Sequence, residues 1–373
     1  MRRASRHDAA PRRNHTDTER GPTMSESTAA AAARPPGRSA ADPPPGGAAP
    51  PASERRQALG RALRNPLVGP LAALLVAVVL FTLMTDTFAT AGNASLILQQ
   101  SIVIGTLALG QTLIILTAGI DLANGAIAVL GTIVMAKFVF EGGNPLTALL
   151  LGLTITVVLG AISGLLVTRL GLPPFIVTLG MLTVVYAIAR LYSESRSYSV
   201  SEPLLRFWGQ GTTLGGVRIT WGTLLLLVVF TVFWFALART SWGRHVYAVG
   251  NAPEAARLVG IKVNRTILSV YVAAGALYGL AAWQALGRIP NADPNAYQTA
   301  NLDSITAVVI GGTSLFGGRG SVVGTLIGAL IVGVLRSGLT QAGIDNLYQD
   351  LATGVLVIVA VSLDQASRRR AAR

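Results

Sequence analysis

The sequence predicts an all-α membrane protein, a polytopic helical bundle of about ten hydrophobic segments. Hydrophobic residues make up 51% of the 373 residues and charged residues only 13%, a balance too apolar for a soluble globular domain. From Pro66 onward, apolar stretches alternate with short polar connections. Because most of these stretches are long enough to cross a hydrocarbon core, the lipid bilayer is the expected solvent.

Ten segments fit this pattern. They lie near residues 66–84, 96–116, 122–139, 146–168, 175–192, 221–238, 266–286, 303–311, 321–339 and 348–364. The eighth is too short to cross alone, and it ends in Gly311 and Gly312. We therefore expect a short re-entrant half-helix there, followed by unwound backbone.

The two ends of the chain have a different composition. Residues 1–60 are rich in Ala, Pro, Arg, Gly and Ser, and no window in them could bury a core, so we expect a disordered cytoplasmic tail. Residues 61–366 are predicted to form the transmembrane domain, and residues 367–373 a basic cytoplasmic C-terminus. Met24 is an alternative start to Met1.

The net charge of +13 indicates membrane topology rather than nucleic-acid binding. Basic residues concentrate in the tail, in the connections 169–174, 239–265 and 317–320, and at the C-terminus. With ten segments, all of these regions fall on the same side of the membrane. The opposite side has fewer, mostly in the loop 193–220. The positive-inside rule then predicts that both termini are cytoplasmic.

Several chemistries are disfavoured by residue type. The chain has no cysteine, which excludes disulfides and thiolate metal sites. Its three histidines, His7, His15 and His245, lie outside the apolar stretches, so a histidine base within the bilayer is not expected. No phosphate-binding P-loop motif occurs, so we expect no ATP site in this chain. No nucleophile and base appear together in the apolar spans, so we expect no enzyme activity, and we predict no bound cofactor and no bound metal.

Two glycine-interrupted stretches point to a transport path, because irregular backbone at membrane depth is tolerated only inside protein or beside a cavity. The first spans residues 117–126 and the second residues 310–321. They occupy comparable places in the two halves of the chain, which suggests a pair of inverted repeats.

Polar residues and glycines at or near these stretches are the candidates for lining the path. They are Gln111, Gly119, Asp121, Asn124, Asp303, Thr306, Gly311, Gly312, Thr313 and Ser314, and Gln99 and Gln100 are of the same type. Asp121 and Asp303 have two readings of equal weight, a functional carboxylate or a helix cap. The neutral side chains can hydrogen-bond sugar hydroxyls, although taken singly such residues more often join neighbouring helices.

The loop 239–265 contains the marks of a short independent helix. Asn251 is the predicted N-cap, Pro253 suits the first turn, Glu254 completes a capping box and Gly260 ends the helix. Such a helix would expose a small apolar face formed by Ala255, Ala256 and Leu258. It would either lie on lipid or dock into a partner protein, and its small apolar surface favours docking.

Four blocks of sequence resemble the permease subunits of ABC importers for ribose, xylose, arabinose, galactose, fructose and related monosaccharides. The blocks run from Leu109 to Leu122, Gly171 to Met181, Trp242 to Arg257 and Ala307 to Ser321, in the family's order. The resemblance covers roughly residues 66–366. The chain departs from the family's usual sequence at two places. Residues Ala123 to Ala126 after Asp121-Leu122 introduce the Asn124 amide. Asn301-Leu302-Asp303 before the predicted half-helix looks more like fructose-type permeases.

This resemblance implies a homodimeric permease in the bacterial inner membrane. An extracytoplasmic sugar-binding protein would deliver a monosaccharide, and a separate cytoplasmic ABC ATPase would bind ATP and Mg. The coupling helix that docks into this ATPase would comprise Asn251, Glu254, Ala255, Ala256, Arg257 and Gly260. The alternatives are an importer permease for another small solute and an ion-coupled carrier, for which Asp121 and Asp303 would be the only nearby carboxylates.

Overall fold

The computed structural model describes residues 67–371. Within this range the chain forms thirteen α-helices: α1 Val68–Met84, α2 Ala91–Leu116, α3 Asn124–Phe140, α4 Pro145–Arg169, α5 Pro174–Tyr192, α6 Pro203–Arg206, α7 Trp221–Arg239, α8 Ser241–Asn251, α9 Pro253–Leu258, α10 Val263–Arg288, α11 Ala300–Ile310, α12 Val322–Gln341 and α13 Asn346–Ala371. The predicted tail at residues 1–60 lies outside the described residues, as do the last two residues of the basic C-terminus.

Each of the ten predicted segments contains a helix. In the part of the chain that the structure describes, six helices are long and apolar enough to cross a membrane, namely α2, α4, α5, α7, α10 and α12. The apolar stretches of α1, α3, α11 and α13 are shorter. The chain is therefore a helical membrane protein, while the number of crossings and the re-entrant course of α11 stay predictions.

Burial separates the apolar helices into a central and a peripheral set. The most apolar windows of α2, α12 and α10 are 72%, 67% and 56% buried, whereas those of α4, α5 and α7 are only 22–33% buried. Large apolar side chains stand exposed on the outer helices, among them Leu83 on α1, Leu191 on α5 and Phe235 on α7. Exposed apolar surface on this scale needs lipid as its solvent.

Small residues bring α4 and α10 into close contact. On α4 they recur every fourth position at Gly152, Thr156, Gly160 and Gly164, and they face glycines of α10 such as Gly275. A Cβ added to Gly160 would lie 2.6 Å from the Tyr271 carbonyl oxygen. Such spacing lets helix backbones approach where lipid supplies no hydrophobic drive to association.

The fold is not purely helical, because short strands occupy the loops predicted on the side opposite the termini. In an antiparallel pair, β1 Tyr198–Ser199 joins β4 Asn291–Ala292. A hairpin of β2 Gly211–Leu214 and β3 Val217–Thr220 turns at Gly215 and Gly216, both with positive φ. Paired glycines are typical of such a two-residue turn. The β1–β4 pair fastens the loop 193–220 to the segment that follows α10.

Candidate functional site

The first glycine-containing break is a buried hydrogen-bonded turn. Asp121 is 1% exposed, and its carboxylate accepts hydrogen bonds from the Ala123 amide (2.8 Å) and the Tyr278 hydroxyl (3.0 Å). In the orientation that satisfies its neighbours, the Gln111 amide donates to the Asp121 carbonyl (2.9 Å) and accepts from the Asp121 amide (3.2 Å). The carboxylate therefore shapes the entry to α3 and also joins it to α10.

Asn124 connects this break to α11. It is the first residue of α3 and is fully buried, and its side-chain amide donates to the Ser304 hydroxyl of α11 at 2.7 Å. The structure thus brings Gln111, Asp121 and Asn124 together. Each of them is engaged with protein groups, and Ser304 is a partner that the sequence analysis did not single out.

The second break runs between α11 and α12. Gly312 takes a left-handed conformation (φ 87°), and Gly311 packs so tightly on Gly324 that an added Cβ would overlap that residue's backbone. Thr313 is buried, and its hydroxyl accepts from the Ser321 amide at 3.4 Å. The Ser314 amide donates to the Arg319 carbonyl at 2.9 Å. These bonds give the unwound backbone a fixed course.

Both breaks meet the end of α8 at a backbone contact that we call the glycine junction, formed by Leu116, Ala118, Gly250, Gly317 and Gly318. The Gly318 amide donates to the Leu116 carbonyl at 3.0 Å. A Cβ on Gly250 would overlap that same carbonyl oxygen, and a Cβ on Gly317 would lie 2.8 Å from the Ala118 amide nitrogen. No side chain has room to separate the three segments.

Two short helices stand beside this junction. The hydroxyl of Thr240 caps α8 by accepting from the Gly243 amide (3.3 Å), and the Trp242 indole donates to Ser269 of α10 (2.8 Å). The Tyr247 hydroxyl donates to the Gly320 carbonyl of the second break (3.1 Å). Burial raises the pKa of Tyr247, which keeps the phenol a proton donor. The loop predicted over 239–265 is therefore mostly helix.

The predicted capping of the short helix is wrong in part. Asn251 is the last residue of α8, and α9 begins at Pro253 after Ala252 without a side-chain cap. Glu254 instead pairs with Arg257 at 3.1 Å on the exposed surface. Gly260 follows the helix in a left-handed conformation (φ 85°), as expected of a terminating glycine.

The apolar face of α9 also differs from the prediction. Ala256 is buried in a small cluster with Val249 and Val263, because it faces α8 and α10 rather than solvent. Ala255 is exposed as expected. The bulky surface lies at the tip, where Leu258 is 89% exposed and Val259 is 77% exposed.

A cavity of about 600 Å³ opens at another part of the bundle. We call it the polar cavity, and its walls come from α2, α3, the end of α10, the segment 289–299, α11, α12 and α13. Five charged side chains line it: Arg288, Asp293, Asp303, Arg336 and Asp350. Of the predicted path residues, Asp303 lines the polar cavity and Thr306 lines a neighbouring cavity of about 450 Å³.

Asp303 does not cap α11, because that helix begins three residues earlier at Ala300. Its carboxylate, 3% exposed, accepts from Nη2 of Arg336 at 2.7 and 2.9 Å. The same nitrogen lies 3.2 Å from the Thr299 hydroxyl and 3.5 Å from Asp350 Oδ1 of α13. The sequence analysis missed Arg336, although an arginine inside an apolar span is itself a signal of function.

Comparison with known proteins identifies the class of molecule. A family model described as the branched-chain amino acid transport system / permease component matches residues 93–361. The chain therefore belongs to this family of transport-system permeases and is an integral membrane protein.

Its relatives include a fructose import permease of Rhizobium meliloti, 44% identical over 315 residues that cover 83% of this chain and 88% of the relative. A ribose import permease of Bacillus subtilis is 38% identical over 80% of the chain and 92% of the relative. The D-allose transport system permease of Escherichia coli is 35% identical over 80% and 91%. The resemblance drawn from the sequence is confirmed. No solved structure gives a significant match.

Proposed function

We propose that this chain is the permease subunit of an ABC-type importer that carries a monosaccharide, with fructose as the first candidate, across the bacterial inner membrane. One observation carries the proposal: the chain aligns over about four fifths of its length with permeases named for fructose, ribose and allose import. Fructose is favoured because that relative shares 44% identity, against 38% and 35% for the other two.

The proposed assembly is a homodimer of this chain with two further components. A cytoplasmic ABC ATPase binds ATP and Mg, and an extracytoplasmic binding protein delivers the sugar. In this proposal α9 is the coupling helix, with Asn251, Glu254, Ala255, Ala256, Arg257 and Gly260 at or beside its contact with the ATPase. The exposed tip at Leu258 and Val259 supports a docking role, since bulky apolar groups there have no partner within the described fold.

The proposed orientation places both termini, α8, α9 and the glycine junction on the cytoplasmic side. The polar cavity then faces the binding protein through the segment 289–299. Closure of the ATPases would move α8 and α9, and the glycine junction would pass this movement to both breaks. The residues at the breaks, Gln111, Gly119, Asp121, Asn124, Gly311, Gly312, Thr313 and Ser314, act in this proposal by shaping the moving segments, while Asp303 and Thr306 face open space.

Uptake of labelled fructose, ribose and allose tests the proposal in cells that express the chain with its genomic neighbours. A matched strain carries a catalytically dead ATPase. We expect uptake of one sugar that disappears in the matched strain. Uptake that persists with the dead ATPase but collapses with an ionophore would instead show an ion-coupled carrier and contradict the proposal.

A further inference from the structure

The polar cavity contains buried hydrogen-bonding groups that the protein itself does not satisfy. Gln100 of α2 lines the cavity, and its Oε1 atom is buried without a hydrogen-bond partner among the described residues. Nε of Arg336 is likewise buried without a hydrogen-bond partner among the described residues, whereas Nη2 of the same guanidinium donates to the Asp303 carboxylate. Unmet polar groups in a native interior are costly and require an explanation. A bound ligand with both hydrogen-bond donors and acceptors would satisfy these groups.

The charges of the cavity restrict the chemistry of that ligand. Two arginines and three aspartates line the cavity, an excess of one negative charge. Arg336 is moreover neutralised by direct contact with Asp303 and lies near Asp350. A carboxylate or phosphate would meet net repulsion here, whereas a neutral polyol would not. A hydroxyl can donate to Gln100 Oε1 or to the Asp303 carboxylate, and it can accept from Arg336 Nε.

The size and position of the cavity fit a small ligand that passes between helices. Its volume of about 600 Å³ lies within the range of small-molecule sites. The ion pair of Asp303 and Arg336 joins the short helix α11 to α12, and Asp350 extends the contact to α13. A ligand that competes for these groups would therefore act on three helices at once.

We infer that Gln100, Asp303 and Arg336 form the hydroxyl-binding site at which a neutral sugar is held within the permease. This inference rests on the proposed function and assigns the contact to residues of this chain. Gln100 accepts from a sugar hydroxyl, Asp303 accepts from another, and Arg336 donates. The site explains the two unsatisfied buried atoms and assigns Arg336 a role in transport.

The test uses the complete importer in proteoliposomes with saturating, sugar-loaded binding protein. Labelled sugar carried per ATP hydrolysed is measured for the parent, for Gln100→Leu and for Gln99→Leu. Gln99 is the matched control because it precedes Gln100 on α2 and does not line the cavity. We expect Gln100→Leu to lower the ratio about tenfold, the cost of about one hydrogen bond to the sugar, and Gln99→Leu to retain it.

A purely structural role would change sugar transport and ATP hydrolysis together and leave their ratio unmoved. Equal ratios in Gln100→Leu, Gln99→Leu and an active parent would overturn the inference and leave the proposed function standing. If the parent carries no fructose, ribose or allose, both fail. A double variant tests the ion pair. Asp303→Arg combined with Arg336→Asp exchanges the two charges and keeps the helices joined, but we still expect a low ratio of sugar carried to ATP hydrolysed. Recovery of the parental ratio would show that the ion pair has only a structural role.

Discussion

The polar cavity and the glycine junction differ most in how tightly their residues pack within one helical bundle. The cavity has open space, charged walls and two buried atoms without hydrogen-bond partners among the described residues. The junction has no space at all, and its contacts are made by backbone groups of Leu116, Gly250 and Gly318. Open polar space can accommodate a ligand, whereas a close-packed backbone contact can transmit movement but leaves no room for a ligand. Under the proposed function, sugar handling therefore belongs to the polar cavity and coupling to the glycine junction.

The largest effect is expected from a methyl group placed in the junction. In Gly250→Ala the new Cβ would overlap the Leu116 carbonyl and lie 2.7 Å from the Gly318 amide nitrogen, so the segments must separate. We expect ATP-dependent uptake to be lost and the free energy of unfolding to fall by about 1–3 kcal/mol. Gly180→Ala on α5, where nothing lies within 4 Å of the added atom, is the control and should transport normally. Normal uptake by Gly250→Ala would show that the junction tolerates separation.

The second prediction separates docking from folding at α9. Leu258→Asp places a charge on the exposed tip, and we expect the ATPase to be lost when the permease is purified. Leu214→Asp in the β2–β3 hairpin is the control, because Leu214 is also exposed (70%) but lies on the predicted opposite side. Equal retention of the ATPase by both variants would remove α9 as the docking site.

A related prediction concerns the ion pair on α9. Glu254→Lys and Arg257→Glu should each abolish uptake, because both side chains belong to the proposed ATPase contact. Their mutual pair is exposed and contributes little to stability. The variants should therefore remain folded and dimeric by size-exclusion chromatography. Sugar-stimulated ATP hydrolysis at the parental rate would contradict the coupling assignment.

An intermediate effect is expected at Asp121. Asp121→Asn weakens the bond from Tyr278, and Tyr278→Phe removes it, so each should cost about 1–3 kcal/mol of stability and reduce uptake without preventing insertion. The double variant should lose little more than either single variant, because both act on the same hydrogen bond. If Asp121→Asn lowers uptake far more than Tyr278→Phe, the carboxylate takes a direct part in transport.

The smallest effect is expected from Tyr247→Phe, which removes one hydrogen bond between α8 and the second break. We expect a loss of about 1 kcal/mol and a modest decrease in uptake, since the junction itself stays intact. Thermal unfolding and initial uptake rates measure the two effects. Complete loss of uptake would show that this bond, rather than the glycine contact, carries the coupling.

The sequence predicted what hydropathy controls and failed where distant segments meet. The ten apolar segments contain helices because burial in lipid or core requires them. The helix α8 was taken for loop because the 11 residues Ser241–Asn251 are too few to cross a membrane and include no long apolar run. Asn251 looked like a cap although the chain before it is already helical. The pair of Asp303 and Arg336 joins different helices, so no local pattern reveals it. The small-residue spacing from Gly152 to Gly164 was visible in the sequence and was missed.

The most direct measurement compares the two regions in one reconstituted importer, with sugar carried per ATP as the first readout and stimulation of ATP hydrolysis by loaded binding protein as the second. We predict that Gln100→Leu lowers the first readout and that Gly250→Ala abolishes the second. If both variants lower the two readouts in the same proportion, sugar handling and coupling are not separated between the polar cavity and the glycine junction.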